Sequence, residues 1–322
     1  MANVNVESVK HNRRTLWYKL ETLYLFTKGD FKSIVVPHSI FAISVVFSKA
    51  DLLHTAKYEF NPGRILTRIP LMIFWLWIHL LVEDISNQRL PGGIAEDTLN
   101  KPWRPIPSGR LSAEEAQQIL RVLVPLALLT STVLSSSRPS ATLMTLVWLY
   151  NDLDAANAGP MQRNMLNAAG LACFGWGALT TLIGSSEAVG GNTVLICWIA
   201  LTAAVVMTTI HAQDFPDVAG DKARGRKTIP LVFNEVLARA TLAFLVLFWS
   251  VVCLVFWDVK SPMVWVAMLG MAGAMSLKTV LGRTLRSDKL VWRLWCYWMS
   301  FLYLLPVFST GCVMSRANGM RE

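Results

Sequence analysis

The chain reads as an all-α polytopic membrane protein, with about nine transmembrane helices arranged as two pseudo-repeated four-helix bundles plus one. Three observations predict this. Hydrophobic residues make up 53% of its 322 positions and charged residues only 16%, whereas soluble domains carry about a quarter charged. Nine apolar runs, each roughly 17 to 22 residues with their flanks, are long enough to cross about 30 Å of hydrocarbon. Lysine and arginine are also unevenly shared between alternate loops, 19 falling on the side of the N-terminus and 7 on the other, which orients the chain with its N-terminus in the cytosol.

Residues 1–32 are polar and basic, without an uninterrupted apolar core or a small-residue cleavage site, so they read as a cytosolic N-terminal segment and not as a cleavable signal. The expected spans centre on Ser33 to Phe47, Ile65 to Val82, Ala116 to Leu134, Ala141 to Tyr150, Met165 to Gly184, Thr193 to Ile210, Val236 to Trp257, Pro262 to Leu277 and Trp292 to Phe308. The fourth is short. Residues 33–310 form the transmembrane domain on this reading, and residues 311–322 a C-terminal tail. An acidic, then basic and proline-containing segment follows the second span and again follows the sixth, four helices later, which is the internal symmetry that suggests two like bundles.

The five cysteines (Cys173, Cys197, Cys253, Cys296 and Cys312) are scattered, and the five histidines do not pair at ligand spacing, so neither a disulfide framework nor a zinc site is indicated. The net charge of +9 follows the cytosolic loops and does not gather on one face, which argues against a nucleic-acid partner.

The chemistry resides in the two acidic segments. Asp84, Asn87 and Gln88 stand at i, i+3 and i+4 at the end of the second span, followed by Glu96 and Asp97; Asp214, Asp217 and Asp221 stand at i, i+3 and i+7 after the sixth, although Pro216 interrupts any regular helix there. Both segments are assigned to the cytosolic side. Carboxylates crowded in this way repel one another unless a divalent cation and an anionic ligand neutralise them. Oxygen-only donors favour magnesium, which commonly binds one or two carboxylates together with ligand phosphates. Lys101, Arg104, Arg110, Arg163, Lys222, Arg226 and Lys227 lie close enough in sequence to balance a diphosphate. Asp152 and Asp154 lack a partner motif and read as solvated loop acids. Of the aromatic residues, Tyr150 and Trp176 flank the loop bearing Arg163 and are the expected cavity walls.

The stretch Asp84 to Arg110, ending in NKPWRPIPSGR, together with DFPDVAGDKARGRKTIP from Asp214 to Pro230, closely resembles the two signature motifs of the UbiA-type intramembrane prenyltransferase superfamily. The resemblance extends over the helical plan of nearly the whole chain. It implies a helical bundle with a lateral opening, Mg2+ held between the motifs, and a prenyl diphosphate ionised there. By motif match, Asp84, Asn87, Glu96, Asp97, Asp214, Asp217 and Asp221 take the metal and catalytic role, and Lys101, Arg104, Arg163, Lys222 and Lys227 contact the diphosphate. The first motif departs from the usual NDxxDxxxD: here it is DISNQ, then an insertion with Leu90-Pro91-Gly92-Gly93, then Glu96-Asp97, leaving Gln88, Glu96 and Asp97 as alternatives for the missing aspartate. This form resembles a fungal branch that includes membrane-bound sesquiterpene cyclases of the fumagillin-pathway type.

The expected function is therefore Mg-dependent ionisation of farnesyl diphosphate followed by cyclisation to a sesquiterpene in secondary metabolism. The alternative is transfer of the prenyl group to an aromatic or polyketide acceptor, and a third reading is a transporter or membrane scaffold. The endoplasmic reticulum is the expected membrane, with the site facing the cytosol.

Overall fold

A computed structural model describes residues 14–48, 52–53, 61–186, 189 and 191–310, so residues 1–13 of the N-terminal segment, the 311–322 tail and Cys312 lie outside the described residues. Among the described residues the chain folds into helices and turns, with a single isolated β-bridge between Val259 and Ser309.

Helix α1 (Leu16–Thr27) starts where the Thr15 side chain accepts the Tyr18 N–H at 3.2 Å. It turns Leu16, Trp17, Leu20 and Tyr24 outward and buries Thr22, Phe26 and Thr27 against the bundle. The first apolar run forms α2 (Val35–Val46). The second forms α3 (Pro62–Gln88), 27 residues or about 40 Å of helix. That exceeds the hydrocarbon thickness, so the end carrying Asp84 can emerge at the boundary while its middle stays buried.

The insertion after α3, expected as loop, is helix α4 (Pro91–Asn100). Then come α5 (Ala113–Val133), begun by a Ser112–Glu115 capping box, α6 (Ser137–Asn151), the single turn α7 (Ala155–Ala158) and α8 (Pro160–Ile183). Helix α9 (Thr193–Thr209) passes through a 3-10 turn (Ile210–Gln213) into α10 (Asp214–Arg224). Because this break restarts the helix at Asp214, Pro216 falls in a first turn, where its missing N–H breaks no bond. Helix α10 stops at Gly225, whose φ of 76° suits glycine. The short α11 (Ile229–Val232), then α12 (Glu235–Phe256), α13 (Pro262–Leu281) and α14 (Leu285–Leu304) complete the chain, with a last 3-10 turn (Leu305–Phe308).

All nine expected spans fall on helices. Among the described residues, seven helical stretches, α10 being continuous with α9, are long and apolar enough to cross a membrane; α2 is a shorter apolar helix, and α6, at 15 residues, reaches only about 22 Å. Each long helix packs on its sequence neighbours, and the circuit closes where α14 meets α2. Small residues and hydroxyls set these contacts, as expected where lipid removes the hydrophobic drive between helices. A Cβ on Gly177 of α8 would lie 1.9 Å from the Trp75 ring of α3, so only glycine admits this approach. Trp75 Nε1 donates to Ser131 Oγ at 2.8 Å, and Trp298 Nε1 to Ser250 Oγ at 2.8 Å. At the end near the acidic segments, Arg239 of α12 grips both carboxylate oxygens of Asp288 on α14, at 2.7 and 3.0 Å.

Candidate active site

The two acidic segments meet because α4 docks on α10. Asn100, the last residue of α4, makes the joint: its Nδ2 donates to the Asp217 carbonyl at 3.0 Å and its Oδ1 accepts the Gly220 N–H at 3.2 Å. Gly220 has to be small, since a Cβ there would lie 2.2 Å from Asn100 Nδ2 and 2.8 Å from the Glu96 carbonyl oxygen. Gly93 likewise lets α4 fold back on the end of α3, a Cβ meeting the Asn87 carbonyl at 2.2 Å.

Charged side chains then tie the segments together. Arg224 of the second segment donates to Asn87 Oδ1 at 2.9 Å and Glu96 Oε2 at 3.0 Å, both of the first. Arg226 reaches the same Glu96 oxygen at 3.0 Å and Asp221 at 3.4 Å. Lys101 stands 3.6 Å from Asp217. Arg163 of α8 bonds Asp214 at 2.6 Å. Arg104 forks onto Asp97 at 2.9 and 3.2 Å and onto Asp30 at 2.7 Å, with Asp84 at 3.6 Å.

Outside the spans, this crowding sets the titration of each group. Burial pushes the Glu96 carboxyl up, but Arg226, Lys101 and Arg224 more than offset it and hold it below the ordinary range. At Asp97 burial prevails over Arg104 and Lys101, and the carboxyl is raised. Burial and then Arg104 act against a charged Lys101, yet Asp217, Asp30 and Glu96 raise it overall. Arg226 is raised despite burial. The cations of this site are therefore permanently charged at neutral pH.

A cleft of about 800 Å³, counting its open mouth, lies between these groups. Asp84, Asn87, Glu96, Lys101, Arg104, Arg163 and Asp217 line it, and Tyr150, Leu171, Trp292 and Trp295 supply its apolar wall. Trp292 and Trp295 stack with centroids 5.0 Å apart, and Trp295 is fixed by its Nε1 bond to Thr209 at 3.0 Å. Among the described residues, no three acids, histidines or cysteines converge at metal-ligand spacing. Each acid instead leans on an arginine or lysine. Even so, Asp84 Oδ2, Asp214 Oδ2 and Asp221 Oδ2 are buried without any hydrogen-bond donor. Buried carboxylate oxygens left unsatisfied are costly. These oxygens, Asp84's at the cleft and those of Asp214 and Asp221 behind its wall, are of the hard type that a divalent cation such as magnesium takes.

The sequence-predicted residues separate into groups. Asp97, Asp214 and Asp221 stand behind the cleft wall in the ion pairs above, while Lys222 and Lys227 are exposed and do not line it. Of the second segment's cations, Arg226 lines the cleft instead, and Arg224 bonds Asn87 and Glu96 of the first segment. Trp176 does not line the cleft either and packs against the core, whereas Tyr150 does line it. Asp152 pairs with Arg89, and Asp154 accepts from Asn157, in keeping with loop acids. Sequence reasoning missed Asp30, Glu83 and Trp292, all of which line the cleft. Asp30 carried one signal: an acid within the basic run Lys28-Gly29-Asp30-Phe31-Lys32, just before the first span.

Residues 71–305 match the UbiA prenyltransferase family. The chain is 30% identical over 290 residues to the fumagillin beta-trans-bergamotene synthase of Aspergillus fumigatus, covering 90% of this chain and 92% of that one. It is 27% identical to a diterpene cyclase of Hericium erinaceus (71% and 69% covered) and 28% identical to a polyprenyl transferase of the same organism (71% and 74%). In structure it is similar to a UbiA homolog from Archaeoglobus fulgidus bound to GPP and Mg2+, with a TM-score of 0.60 at 14% identity over 88% of this chain and 99% of that one.

Proposed function

The chain belongs to the UbiA prenyltransferase family, and on that premise we propose that it is a terpene cyclase that ionises farnesyl diphosphate at the joined acidic segments and closes the resulting cation on its own double bonds. The observation that carries the reading is the convergence of both segments on one cleft, tied by Arg224, Arg226, Lys101 and Asn100 and bounded by an apolar aromatic wall.

Lys101, Arg104, Arg163 and Arg226 would bind the diphosphate oxygens, arginine by its two-pronged fork. Asp84, Asp217 and Glu96 in the cleft, with Asp214 and Asp221 behind it, would hold magnesium, Asn87 adding an amide oxygen. When bound, the metal supplies positive charge to the leaving diphosphate. The allylic C–O bond then breaks, its electron pair leaving with the diphosphate oxygen. Tyr150, Trp292 and Trp295 would keep water from the allylic cation and present π faces that stabilise it. Cyclisation forms a carbon–carbon bond from a distal double bond, and loss of a proton from a carbon next to the final cation restores neutrality.

Of the relatives named above, the one of highest identity is a bergamotene synthase matched over 90% of this chain and 92% of its own, which favours cyclisation. A second reading, transfer of the prenyl group to an aromatic or polyketide acceptor, draws on the similar polyprenyl transferase. We place the protein in the endoplasmic reticulum with its site toward the cytosol, supported by the basic loops beside both segments.

Membranes containing the protein, given farnesyl diphosphate and Mg2+ with no acceptor, should release diphosphate and a volatile hydrocarbon. Chelation or Asp217→Ala should remove the product, the latter by about 100-fold or more, since even supporting groups of metal sites cost 10- to 100-fold. Turnover only when an aromatic acceptor is added would establish the transferase reading instead. No diphosphate release under either condition would sink both.

A further inference from the structure

The first acidic segment presents Glu83, Asp84 and Glu96 to the cleft, but not all of its polar positions are free carboxylates. Asn87 and Gln88, the helical positions three and four after Asp84, are amides. Glu96 is held at 3.0 Å by both Arg224 and Arg226, and Asp97 takes both of its bonds from Arg104. Glu83 and Asp84 remain at the cleft, and Asp84 is 6% exposed, its Oδ1 bonded by Gln88 at 3.0 Å and its Oδ2 without a donor.

We propose that Asp30, from the turn between α1 and α2, is a further cation-binding carboxylate that completes this half of the site together with Asp84. The inference rests on the metal-and-diphosphate reading above. Asp30 and Asp84 both line the cleft and both approach the same nitrogen of Arg104. Two carboxylates are both acceptors, so such a pair needs a proton or a cation between them. The Arg104 guanidinium already bridges them, 2.7 Å from Asp30 and 3.6 Å from Asp84, and marks where positive charge is required.

The turn holds Asp30 rigidly. Its N–H donates to Thr27 at 3.0 Å, and its carbonyl accepts from the Ser33 N–H at 3.1 Å, the Ile34 N–H at 2.9 Å and the Ser33 hydroxyl at 3.0 Å. Its side chain is 29% exposed, into the cleft. A carboxylate fixed by its backbone and open toward the site is what a metal ligand requires. It would also offset the substitution of amides for acids after Asp84.

The test uses the full chain in detergent, with Mn2+ as probe and no substrate, titrated by electron paramagnetic resonance. Asp30→Asn keeps a hydrogen-bond acceptor for Arg104 but loses the charge, and should bind Mn2+ at least about tenfold more weakly than the unaltered chain. Asp30→Glu should recover part of that loss. A residue that only anchors Arg104 would be served by asparagine, so an affinity within about twofold of the unaltered chain overturns the assignment. If Asp30→Asn does not fold, Asp30→Ser combined with Arg104→Gln removes both charges together and is compared with Arg104→Gln alone, the same two outcomes deciding. An unaltered chain that binds Mn2+ yet releases no diphosphate refutes the catalytic reading and leaves this one standing. An unaltered chain that binds no Mn2+ overturns this assignment and leaves the catalytic reading to the assay for diphosphate release.

Discussion

Helical phase decides which cation of α10 turns toward the first segment. At about 100° per residue, Asp217, Asp221 and Arg224 fall within about 60° of one another, while Lys222 stands at least about 100° from each. The structure accordingly buries Arg224 against Asn87 and Glu96 and leaves Lys222 exposed. Arg224→Ala should lower diphosphate release by tenfold or more, because it removes one of the links between segments and leaves Glu96 with Arg226 as its ion-pair partner. Lys222→Ala should stay within about twofold, and equal losses in the two variants would contradict the phase argument. The acids of both segments were legible from spacing alone, since their residue type and position at span ends are local facts. The choice between Lys222 and Arg224 could have been read from the same periodicity. Asp30 was not legible as part of the site, because only the fold of α1 against α3 brings residue 30 beside residue 84.

Helices α4 and α10 show where element boundaries exceed local propensity. The α4 sequence, PGGIAEDTLN, opens with proline and two glycines and has little intrinsic helical preference. It is helical because docking on α10 satisfies Asn100 and buries Glu96 and Asp97. The long apolar helices, by contrast, follow from hydropathy and were located from sequence, although some ends were missed: the last begins at Leu285 and not Trp292, and α3 runs on to Gln88 past Val82. The docked pair supports a prediction at this scale. Gly220→Leu would drive a side chain into Asn100 and the Glu96 backbone, at a cost of about 1–3 kcal/mol for overpacking. With the other six membrane-length helices left untouched, the variant should still fold in detergent, and its diphosphate release should fall at least tenfold. Full activity in Gly220→Leu would show that the α4–α10 joint does not set the site.

For the molecule as a whole, the site's value depends on which compartment it opens to, and charge and fold bear on this separately. The basic loops group on one side by sequence, 19 residues against 7, and a cationic loop resists translocation. The fold adds that both acidic segments occupy one end of the bundle, joined through Asn100 and Arg224. Neither fact implies the other: a miscount of spans between residues 84 and 214 would put the segments on opposite sides and forbid their contact. Helix α12 then sets the geometry of a test, since its 22 residues separate the loop carrying Lys227 from that carrying Lys260 by about 33 Å. Both lysines are exposed, Lys260 at 62%. In a cysteine-depleted chain held in sealed endoplasmic-reticulum microsomes, whose outer face is cytosolic, Lys227→Cys should react with a membrane-impermeant maleimide. Lys260→Cys should react only after the vesicles are opened with detergent. Reaction of Lys260→Cys in sealed vesicles with Lys227→Cys protected would invert the orientation, and reaction of both would mean that α12 does not span.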